Sequence, residues 1–208
     1  ILEQSFLSMH VKYNSREKEI ETRTINQFVK TMDPSKIVFT EDDFNRVQKM
    51  MTGLFDRTKS ADCGFLQSAH SLYLARLKDR VDFVKKFLGK DYKLDEKAEF
   101  VFDLDKKPWP KSNSESEDFL RKYVHFQVAN YISTDTKKLN EAKAKVIKNY
   151  ERLVKRAEEK TDDDLFAQYL DSFARSLDPH SSYLSRDVLE DFQIQMRLSL
   201  DGIGATLS

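Results

Sequence analysis

Residues 139–160 read LNEAKAKVIKNYERLVKRAEEK, and this stretch predicts the fold class more directly than any other. Its apolar side chains recur every three or four positions, at Leu139, Ala142, Val146, Tyr150, Leu153 and Ala157. Such spacing places them along one face of an α-helix and leaves the opposite face to charged residues. Glu141 and Glu151 each precede a lysine by four positions, and pairs of this kind add about 0.2–0.5 kcal/mol to a helix. We therefore expect an amphipathic helix over 139–160.

The same spacing recurs along most of the chain and predicts an all-α, multi-helix fold. The remaining helices are expected over about 16–31, 41–56, 63–88 and 115–133, with two more that begin after Thr161 and Ser185. Asp33-Pro34 and Asp178-Pro179 should end two of these helices, because a residue that precedes proline avoids the helical conformation.

Residues that favour helix ends mark further boundaries. Thr40 should cap the helix over 41–56 and Asp62 the helix over 63–88, since short polar side chains accept N–H groups that a first turn leaves unpaired. Gly89 follows the second of these helices, where a glycine is common just after the C-terminus.

The segment between 90 and 114 departs from the helical pattern. Residues 99–104 alternate loosely between apolar and charged residues, so a short strand or an extended segment is expected there. Pro108-Trp109-Pro110 excludes a helix. The stiffly held tryptophan either fills a gap between helices or anchors a partner.

The last residues indicate the start of a second domain. Residues 201–207 contain two of the five glycines, and β-branched and apolar residues follow them. This pattern is typical of a first strand. The predicted domains are therefore 1–197, which is helical, and 198–208, which begins another fold.

The bulk composition is that of a folded, charge-balanced chain. Hydrophobic residues make up 39% of the 208 residues, and 15 Phe and 8 Tyr argue against disorder. Lys+Arg and Asp+Glu both number 35, so no net charge attracts nucleic acid or an anionic membrane. The stretch 137–160 carries nine Lys/Arg and four Glu. We favour a solvated face there over a patch for nucleic acid or acidic lipid. No apolar run approaches the roughly 18 residues of a membrane-spanning helix.

No common catalytic or metal-binding motif is present. The sequence has no phosphate loop, no HExxH helix and no GxSxG elbow, and its four histidines are widely separated. No catalytic residue, metal or cofactor is therefore predicted. Cys63 stands at a helix start that can activate a thiol, but an incidental cysteine is favoured. Asp178, His180 and Ser181 are the residue types of a catalytic triad; because close sequence neighbours rarely reach triad geometry, we favour a hydrogen-bonded turn.

Several motifs resemble a known family. FARSLDPHSSYLS at 173–185, followed by LSLDGIGA at 198–205, is similar to the junction between the helical N-terminal domain and the PDZ domain of tail-specific proteases of the long Gram-negative branch. KKPWP at 106–110, MDP at 32–34 and HVKY at 10–13 match the same family in the same order. Together the matches span nearly the whole chain.

The resemblance implies a periplasmic serine endopeptidase whose signal peptide has been removed and whose contact with the inner membrane is peripheral or absent. Members of the family recognise apolar C-termini of proteins through the PDZ domain and cleave with a Ser/Lys dyad. The dyad would lie beyond residue 208, so these residues alone should be inactive. The expected partners are protein substrates with apolar C-termini and an adaptor protein, with no nucleic acid.

One binding element implied by the resemblance falls inside the chain. Gly202-Ile203-Gly204-Ala205 resembles the PDZ loop whose backbone N–H groups bind a terminal carboxylate. The alternative is the plain start of a strand. The helical domain itself would shape the substrate chamber and offer a docking surface.

Two other functions stay open from the sequence. A free-standing helical binding module with no protease attached would show the same helices, and the continuation of the gene past Ser208 would distinguish it. A nucleic-acid-binding helix over 137–160 would reveal itself by salt-dependent DNA binding.

Overall fold

A computed structural model describes residues 2–95, 107–135 and 138–197, and in these ranges it contains helices, turns and loops but no strand. The helices are α1 (Leu2–Met9), α2 (Lys18–Met32), α3 (Glu41–Met51), α4 (Leu54–Lys59), α5 (Gly64–Phe87), α6 (Asn113–Asp135), α7 (Leu139–Glu158), α8 (Asp162–Leu177) and α9 (Arg186–Arg197). The all-α prediction is confirmed. The extended segment predicted near 99–104 and the domain start predicted over 198–208 lie outside the described residues, so both stay predictions.

Both Asp-Pro pairs end a helix as predicted. α2 ends at Met32 and α8 ends at Leu177, and in each case the aspartate that follows lies outside the helix. The cap predicted at Thr40 is confirmed, since its hydroxyl accepts the N–H of Asp43 at 3.3 Å. Thr161 caps α8 in the same way. Local sequence signals therefore set these helix ends.

The prediction of one helix over 41–56 is wrong, because the chain breaks at Gly53. This glycine has a φ of 74°, a left-handed conformation that a residue without a side chain adopts freely, and it separates α3 from α4. Gly89 follows α5 as predicted but is not left-handed. A Cβ atom there would lie 3.0 Å from the carbonyl oxygen of Lys86, so a close approach explains this glycine.

The beginnings of α5 and α1 also differ from the prediction. Cys63, not Asp62, is the N-cap residue of α5, and its side chain makes no capping hydrogen bond. Asp62 instead accepts the N–H of Gly64 at 3.3 Å and a hydrogen bond from Arg57 at 2.7 Å, so its carboxylate ties α4 to α5. α1 has no counterpart among the predicted helices.

Two large apolar clusters that share α5, and a small third one at Val38, Leu77 and Ala157, form the core of the described chain. In the first cluster α2 and α8 lie side by side and enclose Phe28 and Phe173, both fully buried. In the second, α5, α6 and α7 meet around Val124 and Val146. α5 has 24 residues, about 36 Å of helix, so its first half reaches one cluster and its second half the other. The loops between the helices are thus attached to one continuous packed core.

Candidate functional site

The loop after α8 is organised around the carboxylate of Asp178. The N–H groups of His180 and Ser181 donate to its Oδ1 atom at 2.8 and 3.0 Å, and the Ser181 hydroxyl donates to its Oδ2 atom. The Nε2 atom of His10, which follows α1, lies 3.4 Å from the same Oδ2. The Ser181 hydroxyl first, and then these N–H groups, hold the pKa of Asp178 below its ordinary value of 3.8. Asp178 is therefore a carboxylate at neutral pH.

This geometry excludes a catalytic triad in the loop. In a triad the histidine takes the proton of the serine, but here the hydroxyl of Ser181 donates directly to Asp178. His10 faces the carboxylate through Nε2, and its Nδ1 atom accepts the N–H groups of Lys12 and Tyr13 at 3.2 and 3.0 Å. The histidine of the predicted triad, His180, bonds to Asp178 through its backbone N–H. The prediction of a hydrogen-bonded turn is confirmed.

The loop after α2 is built around a second carboxyl group, that of Asp33. Asp33 is 2% exposed, and it accepts the N–H groups of Ile37 at 3.0 Å and of Val38 and Phe39 at 2.9 Å. Burial raises the pKa of Asp33 above 3.8, and the three N–H groups oppose that change. A buried polar group, as well as apolar packing, therefore fixes the path of this loop.

The segment that precedes α6 is fastened to the same loop. The Nζ atom of Lys107 donates to the carbonyl of Lys36 at 2.8 Å, and the Nζ atom of Lys36 donates to the carbonyl of Lys107. Burial lowers the pKa of Lys107 to about 8, although the nearby Asp33 opposes this. The Trp109 ring stacks on Phe44 with ring centroids 5.4 Å apart. Trp109 thus fills the gap beside α3, which is the first of the two roles predicted for it.

The cysteine and two of the histidines have structural surroundings. Burial and a neighbouring aspartate raise the pKa of Cys63, so its thiol stays protonated at neutral pH. The Nε2 atom of His70 lies 2.8 Å from the carbonyl oxygen of Ala157, and the Nδ1 atom of His125 lies 2.9 Å from the hydroxyl of Tyr92. Within the described ranges, no three His, Cys, Asp or Glu side chains are grouped so that they could hold a metal ion.

Several lysines of the basic helix α7 serve contacts inside the domain. The Nζ atom of Lys143 donates to the carbonyl of Gly89 at 2.7 Å, and that of Lys145 lies 4.3 Å from the centre of an aromatic ring of α6. These contacts favour the interpretation of a solvated face over a nucleic-acid patch. Arg152 and Arg156 differ, because both are exposed and form no ion pair with any described residue.

α9 presents an apolar face that packs closely against no other described helix. At 3.6 residues per turn, four of its apolar side chains fall within an arc of about 100°. These side chains are exposed by 50%, 41%, 48% and 67%, in the order Val188, Leu189, Phe192 and Met196. Exposed apolar stripes of this kind commonly mark a surface that another protein segment covers. The candidate functional site of the described chain is therefore an interaction surface.

Sequence reasoning predicted this helix but not its exposure. Periodicity identifies the apolar face of α9 and does not say whether any neighbour covers it. The predicted carboxylate-binding residues Gly202, Ile203, Gly204 and Ala205 lie outside the described residues, so their arrangement stays a prediction.

Comparison with known proteins identifies the family. The family model described as the tail specific protease N-terminal domain matches residues 2–187, which is most of the chain. The chain belongs to this family. A curated relative, the tail-specific protease of Haemophilus influenzae, is 27% identical to it over 199 residues. The resemblance inferred from the sequence motifs is thereby confirmed.

The matches cover only part of the relative's length and only part of this chain's helices. The aligned residues make up 95% of this chain but 28% of the relative, so the chain spans little more than a quarter of the relative's length. The loops around Asp33 and Asp178 and the segment at Trp109 lie inside the matched region, whereas α9, which begins at Arg186, lies almost wholly beyond it. None of the described helices has the length and apolar composition of a membrane span.

Proposed function

We propose that residues 1–197 are an accessory domain of a periplasmic serine endopeptidase that recognises protein C-termini and degrades or processes its substrates. In this proposal the helical domain shapes the substrate chamber and docks against the adjoining part of the longer protein. Membership of the tail-specific protease N-terminal domain family supports it, as does a relative that carries the name of tail-specific protease.

The observation that carries the proposal is the uncovered apolar face of α9. This helix lies almost wholly beyond the family region, its four apolar side chains are exposed, and no described helix packs closely against it. Burial of a large apolar side chain contributes about 1.5–3 kcal/mol, so a neighbouring domain that covers this face gains a firm contact. α9 is therefore proposed as the docking element between the helical domain and the adjoining domain of the longer protein.

The chemistry is proposed to come from outside these residues. A Ser/Lys dyad beyond residue 208 would cleave the substrate, and the N–H groups of Gly202, Gly204 and their neighbours would help to bind the substrate's terminal carboxylate. Partners would be proteins with apolar C-termini and an adaptor protein. The location would be the periplasm.

The experiment compares the protein expressed from the complete gene with the 208-residue chain. Two substrates are used that differ only in their last three residues, which are apolar in one and aspartates in the other. We expect the complete protein to cleave the apolar-tailed substrate faster and the 208-residue chain to cleave neither. Cleavage by the short chain, or equal rates on both tails, would contradict the proposal. Cell fractionation tests the periplasmic location separately.

The docking role of α9 has its own test in the complete protein. Phe192→Glu places a charge in the proposed contact and should lower kcat/KM by at least about tenfold, which corresponds to about 1.4 kcal/mol. Glu190→Gln, on the polar side of the same helix, is the matched control and should leave kcat/KM unchanged. Equal activity of both variants would refute the docking role.

A second candidate function is a free-standing helical binding module. The hydrogen bonds that Asp178 accepts from His180 and Ser181 favour it to this extent, because they make the loop with the residue types of a triad a structural turn. A gene that continues into a PDZ domain and a protease domain decides for the first proposal, and a gene that stops at this region decides for the second.

A further inference from the structure

A cleft of about 300 Å³ opens between the loop after α2 and the helices α6 and α7. This volume is at the lower end of the range for ligand pockets, roughly 300–1,000 Å³, and it accommodates one or two amino-acid side chains. Its walls include Ile37 from the loop, Gln127 from α6, and Tyr150 and Leu153 from α7. The cleft is therefore assembled from three elements, and hydrogen bonds to Asp33 fix the path of the loop among them.

Two buried polar atoms of the cleft have no hydrogen-bond partner among the described residues. Tyr150 is 3% exposed, and its hydroxyl makes no hydrogen bond within the described part of the chain. The Oε1 atom of Gln127, which is also buried, makes none with those residues either. Folded proteins pair nearly all such atoms, because an unpaired buried polar group is destabilising. Both atoms belong to residues that line this one cleft.

The charge of the cleft is positive. Arg152 and Arg156 line it, and no Asp or Glu does. Two carboxylates elsewhere on α7 are paired with α5: Glu151 with Lys85 at 2.8 Å and Glu158 with Lys78 at 2.7 Å. The two arginines therefore face the cleft without a negative partner from the neighbouring helices.

Three other clefts of the described chain differ in this respect. The cleft at the end of α5 contains Asp79 and Glu117 among its lysines, and the cleft beside α1 contains Glu3. The cleft beside Thr40 contains Asp43, which Arg76 holds at 2.9 Å. Each of these carries its own negative charge, so the cleft at Tyr150 is the one among them suited to an anion.

The chemistry of the walls selects a class of ligand. Guanidinium groups bind carboxylates through paired hydrogen bonds. Burial raises the pKa of Tyr150, so its hydroxyl stays protonated and is a potential hydrogen-bond donor in the cleft wall. Gln127 Oε1 accepts only, which suits an amide N–H next to the carboxylate. Ile37 and Leu153, the latter 41% exposed, provide an apolar wall for an adjoining side chain.

We propose that the cleft bounded by Tyr150, Arg152 and Arg156 is a binding site for a carboxylate-bearing peptide segment of another protein. The carboxylate is that of an Asp or Glu side chain or of a free C-terminus, since both present the same two oxygens. An apolar residue of the peptide lies against Leu153. This site goes beyond the proposed accessory role and stands whether or not the complete protein is a protease.

The test is fluorescence anisotropy on the 208-residue chain with labelled peptides built on Gly-Ser-Leu-Glu-Leu-Glu-Ser-Gly. One probe keeps both Glu residues and has an amidated C-terminus. A second replaces both Glu by Gln and has a free C-terminus, and a third has Gln and an amidated C-terminus. We expect at least one of the first two probes to bind about tenfold or more tightly than the third. The probe that binds tells which source of carboxylate the site takes.

Variants locate the binding in the cleft. Arg152→Gln combined with Arg156→Gln, and separately Tyr150→Phe, should each weaken binding of the carboxylate probe about tenfold. Lys155→Gln, on the same helix but outside the cleft, is the matched control and should not change it. Because the hydroxyl of Tyr150 has no partner within the described ranges, Tyr150→Phe should not lower the thermal midpoint of the chain when no probe is present.

Three results would overturn the proposal. The first is that all three probes bind equally weakly. The second is that the control variant weakens binding as much as the arginine variants do, which would indicate a general charge attraction. The third is that Tyr150→Phe clearly lowers the thermal midpoint in the absence of a probe, since the hydroxyl would then have a partner within the chain.

Discussion

The Nε2 atom of His10 lies 3.4 Å from the Oδ2 atom of Asp178, so the segment after α1 is held against the loop after α8. The two residues are 168 positions apart in the sequence. The ring of His10 also stacks on Tyr13, with centroids 5.3 Å apart. Hydrogen bonds to backbone N–H groups fix the ring from one side and the carboxylate fixes it from the other. This contact therefore joins the segment after α1 to the loop after α8.

Asp178→Asn should weaken this closure in a pH-dependent way. The folded pKa of Asp178 lies below 3.8, so the carboxylate stabilises the fold at pH values above 3.8 and loses that effect as the pH falls through the folded pKa. The variant should therefore have a lower thermal midpoint than the parent chain at neutral pH, and the difference should shrink as the pH is lowered past 3.8. Thermal unfolding followed by circular dichroism across this range measures it.

The matched control for Asp178 is Asp82→Asn, which alters an exposed carboxylate on α5. This variant should follow the parent chain at every pH. A difference between Asp178→Asn and the parent that stays constant across the range would show that the carboxylate acts through shape and not through its charge.

Asp33→Ala should destabilise the fold more than Asp178→Asn does. It removes the acceptor of three N–H groups in a loop where Asp33 is 2% exposed. Buried groups left unpaired cost about 1–3 kcal/mol each, so we expect a loss on the order of 3 kcal/mol in the free energy of unfolding. Asp33→Asn keeps one acceptor oxygen and should lose less than half as much. Trp109 is the sole tryptophan and stacks beside this loop, so its fluorescence during urea unfolding reports the change.

A larger loss in the free energy of unfolding for Asp33→Asn than for Asp33→Ala would contradict this account. If Asp33→Asn cost as much as Asp33→Ala, the charge of the carboxylate and not its hydrogen bonds would be the main contribution.

The sequence predicted the ends of helices better than their interruptions. Proline forbids the helix to continue at the residue before it, so α2 and α8 end where expected. The break at Gly53 was harder to predict because Met51 and Leu54 keep the helical spacing on both sides of it. A glycine inside a helical pattern was the available signal, and its effect depends on whether the backbone turns left-handed there.

The sequence did not predict the contacts between segments that are far apart in the chain. Leu153 occupies the same stripe as Tyr150, yet Leu153 is 41% exposed and Tyr150 is 3% exposed. Both side chains line the same cleft, so helical spacing alone does not tell which of the two is covered. The exchange of hydrogen bonds between Lys36 and Lys107 likewise joins segments 71 positions apart, and no local pattern encodes such a pair.

The two capping boxes should differ in strength. Thr40 and Asp43 are buried, at 7% and 1% exposure, whereas the corresponding box at Thr161 is exposed. Replacement of a capping threonine by alanine costs about 0.5–2 kcal/mol, and burial places Thr40→Ala near the upper end and Thr161→Ala near the lower end. Urea unfolding measures both. Thr→Ser at each position keeps the hydroxyl and is the control; equal losses at the two sites would show that burial does not strengthen the cap.

A substitution on the exposed face of α9 should leave the free energy of unfolding of the 208-residue chain almost unchanged. Phe192 is 48% exposed and no described helix packs closely on α9, so Phe192→Glu should change the free energy of unfolding by less than about 0.5 kcal/mol. Phe173, fully buried between α2 and α8, provides the contrast, because Phe173→Ala should cost about 3–5 kcal/mol. Urea unfolding of the two variants tests this directly. A loss from Phe192→Glu close to that from Phe173→Ala would mean that α9 already packs within this domain, and the face would then not be available to a neighbouring one.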